Sequence, residues 1–196
     1  MLRAILGGSF DPVHLGHLAI AHHMLDKELA DLVVIVPAWL SPHKYENSAD
    51  PFERLAMVRL AFAGRRTTLV DDREIVRTGV SFTVETLEEM ALEYPEDRLR
   101  LVIGIDNLSG FPGWRSPERI QELADIVIYP RDGLGPTPEA IERAGLDPGR
   151  VIPVTDFDHP VSSTTVRAML GRGILPEDQL PVEVVHFIAA QGLYSA

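Results

Sequence analysis

The sequence predicts an α/β fold: a Rossmann-like doubly wound parallel sheet flanked by helices, in a single domain over residues 1–196 with a small C-terminal helical part at about 163–196. Two observations carry this. Strand-like and helix-like segments alternate along the chain, the pattern of a parallel sheet covered on both faces. The length, 196 residues with 45% hydrophobic and 24% charged side chains, suits one soluble domain with a sizeable core.

The elements follow in order. Leu2 to Leu6 reads as a buried strand ending at Gly7-Gly8, and Leu15 to Leu29 as a helix. Leu32 to Val36 is a β-branched strand stopped by Pro37. Asp50-Pro51-Phe52-Glu53 starts a helix, with an Asp cap, Pro at the first helical position and Glu closing a capping box. Thr68 to Asp71 reads as a short strand, Thr83 to Tyr94 as a helix and Leu99 to Gly104 as another buried strand. Ser116-Pro117-Glu118 opens a helix leading to the strand Ile126 to Tyr129, and Thr137-Pro138-Glu139 opens one more. A brief strand at Val151-Ile152 precedes two helices, Thr164 to Leu170 and Pro181 to Gln191. There is no internal repeat. Ligands of such sheets bind beyond the carboxyl ends of the strands, so the residues after each strand are the ones to read.

Composition excludes several classes. Acidic residues number 29 against 18 basic, a formal net charge of −11, which argues against general binding to nucleic acid or anionic membrane. Cysteine is absent, so thiolate zinc sites, disulfides and cysteine catalysis are out. The most apolar stretch, Leu32 to Leu40, is broken by Pro37 and too short to span a bilayer. Arg3 is followed at once by a strand-like run, which reads against a signal peptide. The expectation is a cytoplasmic protein that binds neither nucleic acid nor membrane; a homo-oligomer is left open.

The first strand is followed by Gly7-Gly8-Ser9-Phe10-Asp11-Pro12-Val13-His14-Leu15-Gly16-His17. The glycines let backbone approach a ligand, and Asp11-Pro12 fixes a turn. His14 and His17, three apart, share one face if a helix has begun, and Gly16 leaves room for a flat base against bare backbone. The pair suits a polyanion near a helix N-terminus; a metal pair or two solvated histidines are the competing readings, and the segment supplies no third metal ligand. Ser162, Ser163 and Thr164 precede an apolar helical run, a cap that can hold an anion, with Arg167 one turn in. A plain cap with a surface Arg is the alternative. Lys44 follows a strand and a Pro turn and offers a point charge, Trp114 could stack on a ring, and Asp106 could accept from ribose hydroxyls or merely cap a helix. His22, His23 and His186 read as structural, His159 as shaping the loop before Ser162, and Asp71-Asp72 as solvated. There is no P-loop and no dinucleotide fingerprint.

The turn with His14-Leu15-Gly16-His17 resembles the signature of the adenylyltransferase branch of the nucleotidyltransferase superfamily, and the chain as a whole is similar to the bacterial enzymes of that branch that act on nicotinate mononucleotide. Pro42-His43-Lys44 resembles that family's basic loop, Arg77 to Leu87 its substrate-recognition segment, Gly104 to Leu108 with Trp114 another block, and Ser162 to Arg167 its second phosphate motif; the ending Leu193-Tyr194 also fits. Ser9, Ser41, Phe82 and Glu85 are mild departures, standing where Thr, Pro, Tyr and Asp are usual. The resemblance implies ATP and nicotinate mononucleotide as substrates, Mg²⁺ entering with ATP, no metal bound by the protein itself, and in-line displacement without a covalent intermediate.

It also implies roles. His17 would stabilise the α-phosphate and His14 orient phosphates, with Lys44 and Arg167 as further catalytic cations. Ser162, Ser163, Thr164 and Arg167 would hold the β- and γ-phosphates. Gly8, Ser9 and Phe10 would line the nucleotide site mainly through backbone, and Gly16 would admit adenosine. Phe82 and Thr83 would offer N–H donors to the nicotinate carboxylate, Trp114 would stack on the ring, and Asp106 would bind on the substrate side. An enzyme for nicotinamide mononucleotide or phosphopantetheine, a non-catalytic nucleotide sensor and a fragment related to class I aminoacyl-tRNA synthetases are the alternatives; Arg77 to Leu87, the intact histidines and the acidic charge weigh against them in turn.

Overall fold

The structure, a computed structural model, describes residues 1–42 and 48–195. Six parallel strands, β1 (Leu2–Gly8), β2 (Leu32–Pro37), β3 (Thr68–Val70), β4 (Arg98–Gly104), β5 (Ala124–Tyr129) and β6 (Val151–Pro153), stand in the order β3-β2-β1-β4-β5-β6. The helices are α1 (Leu15–Asp26), α2 (Pro51–Ala61), α3 (Arg73–Arg77), α4 (Thr83–Glu93), α5 (Pro117–Leu123), α6 (Pro138–Arg143), α7 (Ser163–Leu170) and α8 (Val182–Gln191), with 3₁₀ segments at Ile105–Gly113 and Pro148–Arg150. The first three strands wind outward from β1 and the last three wind the other way from β4. The switch point therefore lies between the ends of β1 and β4, where such sheets bind ligands.

Strand alternation builds two cores. Ala4, Leu6, Val33, Ile35, Val102, Val127 and Tyr129 face one side, where α1, α2, α7 and α8 supply Leu18, Met57, Val166 and Val184. Ile5, Val34, Val36, Leu101, Ile103, Ile126 and Ile128 face the other, against Leu87, Met90, Ile120 and Ile141. Neighbouring residues such as Ala4 and Ile5 thus enter opposite cores, as a period of two requires. The C-terminal helices share the first core with the sheet. The edge strands β3 and β6 have three residues each, which limits edge pairing with other chains.

Most elements lie where the sequence places them, and the differences have local causes. Pairing of Gly7 with Val36 and Gly8 with Pro37 carries β1 through both glycines. Helix α1 stops at Asp26 because Glu28 takes the left-handed conformation, φ +55°. Strand β3 ends at Val70 because Asp71 accepts from the Arg73 N–H at 2.9 Å and turns the chain into α3, a helix with no sequence expectation. Asp71 and Asp72 are not simply solvated: Asp71 pairs with Arg73 and Asp72 with Arg59, both at 2.7 Å. The Asp50 cap is as expected, accepting from Phe52 N–H at 2.8 Å while Glu53 accepts from Asp50 N–H at 3.0 Å.

Candidate active site

A cleft of about 470 Å³ opens at the switch point. Gly8, Ser9, His14, Gly16 and His17 line it from the β1 side, and Gly104, Asp106 and Trp114 from the β4 side. Phe82 and Thr83 at the start of α4 complete that wall, and Arg131 and His159 close a third. Lys44, with His43, lies outside the described residues.

His14 precedes the first residue of α1, and its ring stacks on that of His17, centroids 3.7 Å apart and planes 29° from parallel. The His14 backbone N–H donates to His17 Nδ1 at 3.1 Å. That bond leaves the proton of a neutral His17 on Nε2, so Nε2–H is the donor available to a ligand. Burial, with Arg131 and His159 nearby, depresses the His14 pKa to about 3; burial and His14 itself hold His17 well below the usual imidazole range. The sequence reading counts both among the cations of the site. In the structure they are neutral hydrogen-bonding groups at ordinary pH, and among the described residues the positive charge at the cleft wall comes from Arg115 and Arg131.

The sign of the pH effect follows. The unfolded chain protonates both histidines near 6.5 and the folded chain resists doing so, so the stabilisation is complete above about 6.5 and is lost as pH falls toward about 3. Each histidine should cost up to about 1.4 kcal/mol per pH unit in that window, visible as a falling melting temperature in a buffer series from pH 7 to 5. Turnover should show no loss between pH 7 and 8.5 from imidazole deprotonation.

The turn ahead of His14 is anchored from several elements. Phe10 takes φ +48°, is 2% exposed and backs His17 with centroids 4.8 Å apart. The Asp11 carboxylate, also 2% exposed, accepts from Ser48 N–H at 2.8 Å, Ala49 N–H at 3.1 Å and the Tyr194 hydroxyl at 2.9 Å. Arg54, fully buried, donates to the carbonyls of Ser9 at 2.5 Å, Trp39 at 2.8 Å and Ala49 at 3.2 Å. Burial lowers its pKa, and Asp11 opposes that. Sequence reasoning missed this hub, since its members come from positions 9 to 194.

The second motif meets the same turn. Ser162 caps α7, its hydroxyl accepting from Thr165 N–H at 3.1 Å. Ser163 Oγ donates to the Pro12 carbonyl at 3.0 Å, and Arg167 Nη1 donates to the Asp11 carbonyl at 2.6 Å. These residues and Phe10 back the turn and are not among the cleft-lining side chains. The N–H groups of Ser163 and Thr164, in the first turn of α7, have no helical acceptor.

The opposite wall is equally braced. Phe82 caps α4 in an extended conformation (φ −95°, ψ +125°) and Thr83 is the first helical residue, so the N–H of Thr83 has no helical acceptor. The Arg115 guanidinium lies 4.6 Å over the Phe82 ring and pairs with Glu85 at 2.6 Å. Trp114 packs on buried Phe111, centroids 5.2 Å apart, and lines the cleft. Behind them Glu74 accepts from Thr86 Oγ1 at 2.5 Å, and burial raises its pKa. Asp106 pairs with Arg131 at 3.0 Å. A Cβ at Gly104 would stand 2.3 Å from Asp106 Oδ1, so the exposed Asp106 side chain would have to turn aside to admit one. A Cβ at Gly16 would sit 3.0 Å from the His14 ring and 3.5 Å from His159 Nδ1. His23 is structural, bridging Tyr129 at 2.8 Å and Asp156 at 3.2 Å. Among the described residues no group of three His, Cys, Asp or Glu side chains is placed to hold a metal.

Strand ends, a capped helix turn with neutral imidazole donors and a second helix start closing on that turn are the parts of a site that handles a phosphate chain. Residues 5–169 match the cytidylyltransferase-like family. The probable nicotinate-nucleotide adenylyltransferase of Gloeobacter violaceus is 39% identical over 201 residues, covering 97% of this chain and 94% of its own. That of Shewanella sediminis is 33% identical over 209 residues, covering 100% and 99%. The fold matches the Plasmodium falciparum nicotinic acid mononucleotide adenylyltransferase complexed with NaAD, with a TM-score of 0.82 at 16% identity over 98% of this chain and 96% of that one. The chain belongs to the cytidylyltransferase-like nucleotidyltransferases and, within them, to the nicotinate-nucleotide adenylyltransferases. No helix among the described residues is long and apolar enough to cross a membrane.

Proposed function

We propose that this chain transfers the adenylyl group of MgATP to nicotinate mononucleotide, giving nicotinate adenine dinucleotide and pyrophosphate, as a cytoplasmic enzyme. The observation that carries the reading is the single cleft in which the His14–His17 turn and the Phe82–Thr83 helix start share one space with Trp114. The mononucleotide phosphate, with a second pKa of about 6, is largely dianionic at neutral pH and attacks the α-phosphorus without a general base. The new P–O bond forms as the bond to the β-phosphate oxygen breaks, and pyrophosphate leaves. No covalent enzyme intermediate is required, so the protein's task is positioning and charge stabilisation.

His17 Nε2–H would donate to the α-phosphate as charge builds, with His14 beside it. The free N–H groups of Ser163 and Thr164, with Ser162 and Arg167, would meet the β- and γ-phosphates once Arg167 exchanges the Asp11 carbonyl for a phosphate oxygen. Lys44 would add a point charge. Gly8, Ser9, Phe10 and Gly16 would form the nucleotide floor, and Asp106 would accept from a ribose. Mg²⁺ would arrive on the nucleotide: of the two cleft carboxylates among the described residues, Glu74 is tied to Thr86 and Asp106 to Arg131, so the phosphates are its natural ligands.

The N–H groups at Phe82 and Thr83 favour the acid over the amide, because an amide NH₂ cannot accept from them. Thr83→Pro removes one of these donors at a position where proline suits a helix, and the extended Phe82 is already compatible with a following proline. The variant should raise KM for nicotinate mononucleotide about ten-fold or more while leaving KM for ATP nearly unchanged. An unchanged KM for the mononucleotide, or equal loss toward both substrates, would count against this assignment.

A further inference from the structure

Glu74 is a buried carboxyl in the cleft wall, 7% exposed, and the reaction just described gives it no role. It stands on α3, and its partners lie across the segment that leads into α4. Thr86 Oγ1 accepts from Arg77 Nη2 at 3.1 Å, so its own proton points to Glu74, 2.5 Å away. Ser81 Oγ accepts from the Trp39 N–H at 3.0 Å and is likewise hydrogen-bonded to Glu74. Glu74 thus joins α3 to the residue just before Phe82 and to the first turn of α4, on both sides of the N–H groups assigned to the nicotinate carboxylate. The chain between the two helices needs such a hold. Thr78 lies at φ +58° and ψ 174°, a region almost reserved for glycine, and Gly79 follows at φ +75°. Backbone strained in this way persists only where its surroundings fix it.

We infer that Glu74 is a positioning residue for the mononucleotide: it gathers the Ser81 and Thr86 hydroxyls and so fixes the N–H groups of Phe82 and Thr83 at the spacing a substrate carboxylate needs. This rests on the adenylyltransferase reading above. Selection through two N–H groups depends on their placement, since a hydrogen bond weakens steeply as its angle closes. Two bonds beside the one to Glu74 pass that placement on. The Thr86 N–H donates to the Phe82 carbonyl at 3.4 Å, and the Ser81 N–H donates to the Leu40 carbonyl at 2.8 Å. A charged carboxylate here would repel the substrate's own. Burial pushes the Glu74 pKa up, with Glu89 nearby adding to it, against the Thr86 and Ser81 bonds and Arg77. The upward shift moves Glu74 toward the uncharged acid and eases that repulsion. Its service is then hydrogen bonding and not charge, which an uncharged isostere can supply.

The test compares wild type, Glu74→Ala, Glu74→Gln and Thr86→Val. It reads kcat, KM for ATP, KM for nicotinate mononucleotide, and the ratio of kcat/KM for the nicotinate and nicotinamide forms. Glu74→Ala should raise KM for nicotinate mononucleotide about ten-fold and shrink the acid-over-amide ratio by a similar factor, with kcat and KM for ATP within about two-fold of wild type. Glu74→Gln should recover most of the loss. Thr86→Val cuts the hold but leaves the carboxyl in the cleft, and should raise the same KM about three-fold or more. Should Glu74→Ala fail to fold, Thr86→Val carries the test alone. An equal rise in both KM values would mean a general structural role, and no rise in Glu74→Ala would mean no role; either overturns the inference. So does a Glu74→Gln as poor as Glu74→Ala, which would mean the charge is needed, or an unaffected Thr86→Val, which would mean Glu74 touches the substrate itself. Titration of nicotinate mononucleotide without ATP separates this from failure of the underlying reading. A wild type that binds the mononucleotide without turning over loses the proposed reaction, while Glu74 is still judged on the shift in affinity; a wild type that does not bind it overturns both.

Discussion

His17→Ala should lower kcat about a thousand-fold while changing KM for ATP little. The donor is preorganised: the His14 N–H fixes Nδ1 as an acceptor at 3.1 Å, stacking on His14 at 3.7 Å holds the ring plane, and Phe10 supports the far side. Removing one such donor from a site that stabilises developing charge typically costs about two to three orders of magnitude in kcat. Because His17 is neutral, what is lost is a directed hydrogen bond and any proton the bound triphosphate draws onto the ring, not a standing positive charge; ground-state binding should therefore suffer less than the transition state. Steady-state rates of pyrophosphate release check this. A large rise in KM with kcat preserved would mean that His17 serves binding alone.

The second large effect is on stability. Arg54→Ala should destabilise the fold by about 3–5 kcal/mol, seen as a melting temperature lower by roughly 10 °C for a chain of this length. Arg54 is fully buried and donates to three carbonyls from three segments, at Ser9, Trp39 and Ala49. Its loss strands those carbonyls and leaves the Asp11 carboxylate without its buried countercharge. Arg54→Lys should recover little, since one ammonium on a flexible stem cannot span the same fork. A melting temperature within about 2 °C of wild type would show that the hub adds nothing to folding. Any fall in activity beyond the stability loss would report slackening of the turn that carries His14.

How much of this could be read from the chain depends on the range of each interaction. The strands, the Asp50 cap and the order of the helices were legible because they rest on local patterns: β-branched runs, a Pro at the first helical position, a Glu three residues after an Asp. The His14-Leu15-Gly16-His17 turn and the Ser162 cap were legible as motifs, and the fold brings them together through Ser163 and Arg167. Helix α3 was not, because five residues set off by an Asp turn carry no period. The acids Asp71 and Asp72 looked solvated for want of visible partners, and their partners are arginines that only the fold brings near. The Asp11, Arg54 and Tyr194 hub escaped for the same reason. The charge state of the histidines also escaped, because desolvation is a property of burial and not of spacing.

The most direct test of the account is pyrophosphate release from MgATP by the purified protein, with nicotinate mononucleotide, nicotinamide mononucleotide and phosphopantetheine as acceptors in parallel and His17→Ala as control. The account predicts fastest turnover with the nicotinate form, a much weaker rate with the amide, and loss of both in the control. Faster turnover with nicotinamide mononucleotide or phosphopantetheine would contradict the roles given to Phe82, Thr83 and Trp114, and no turnover with any acceptor would contradict the proposed reaction itself.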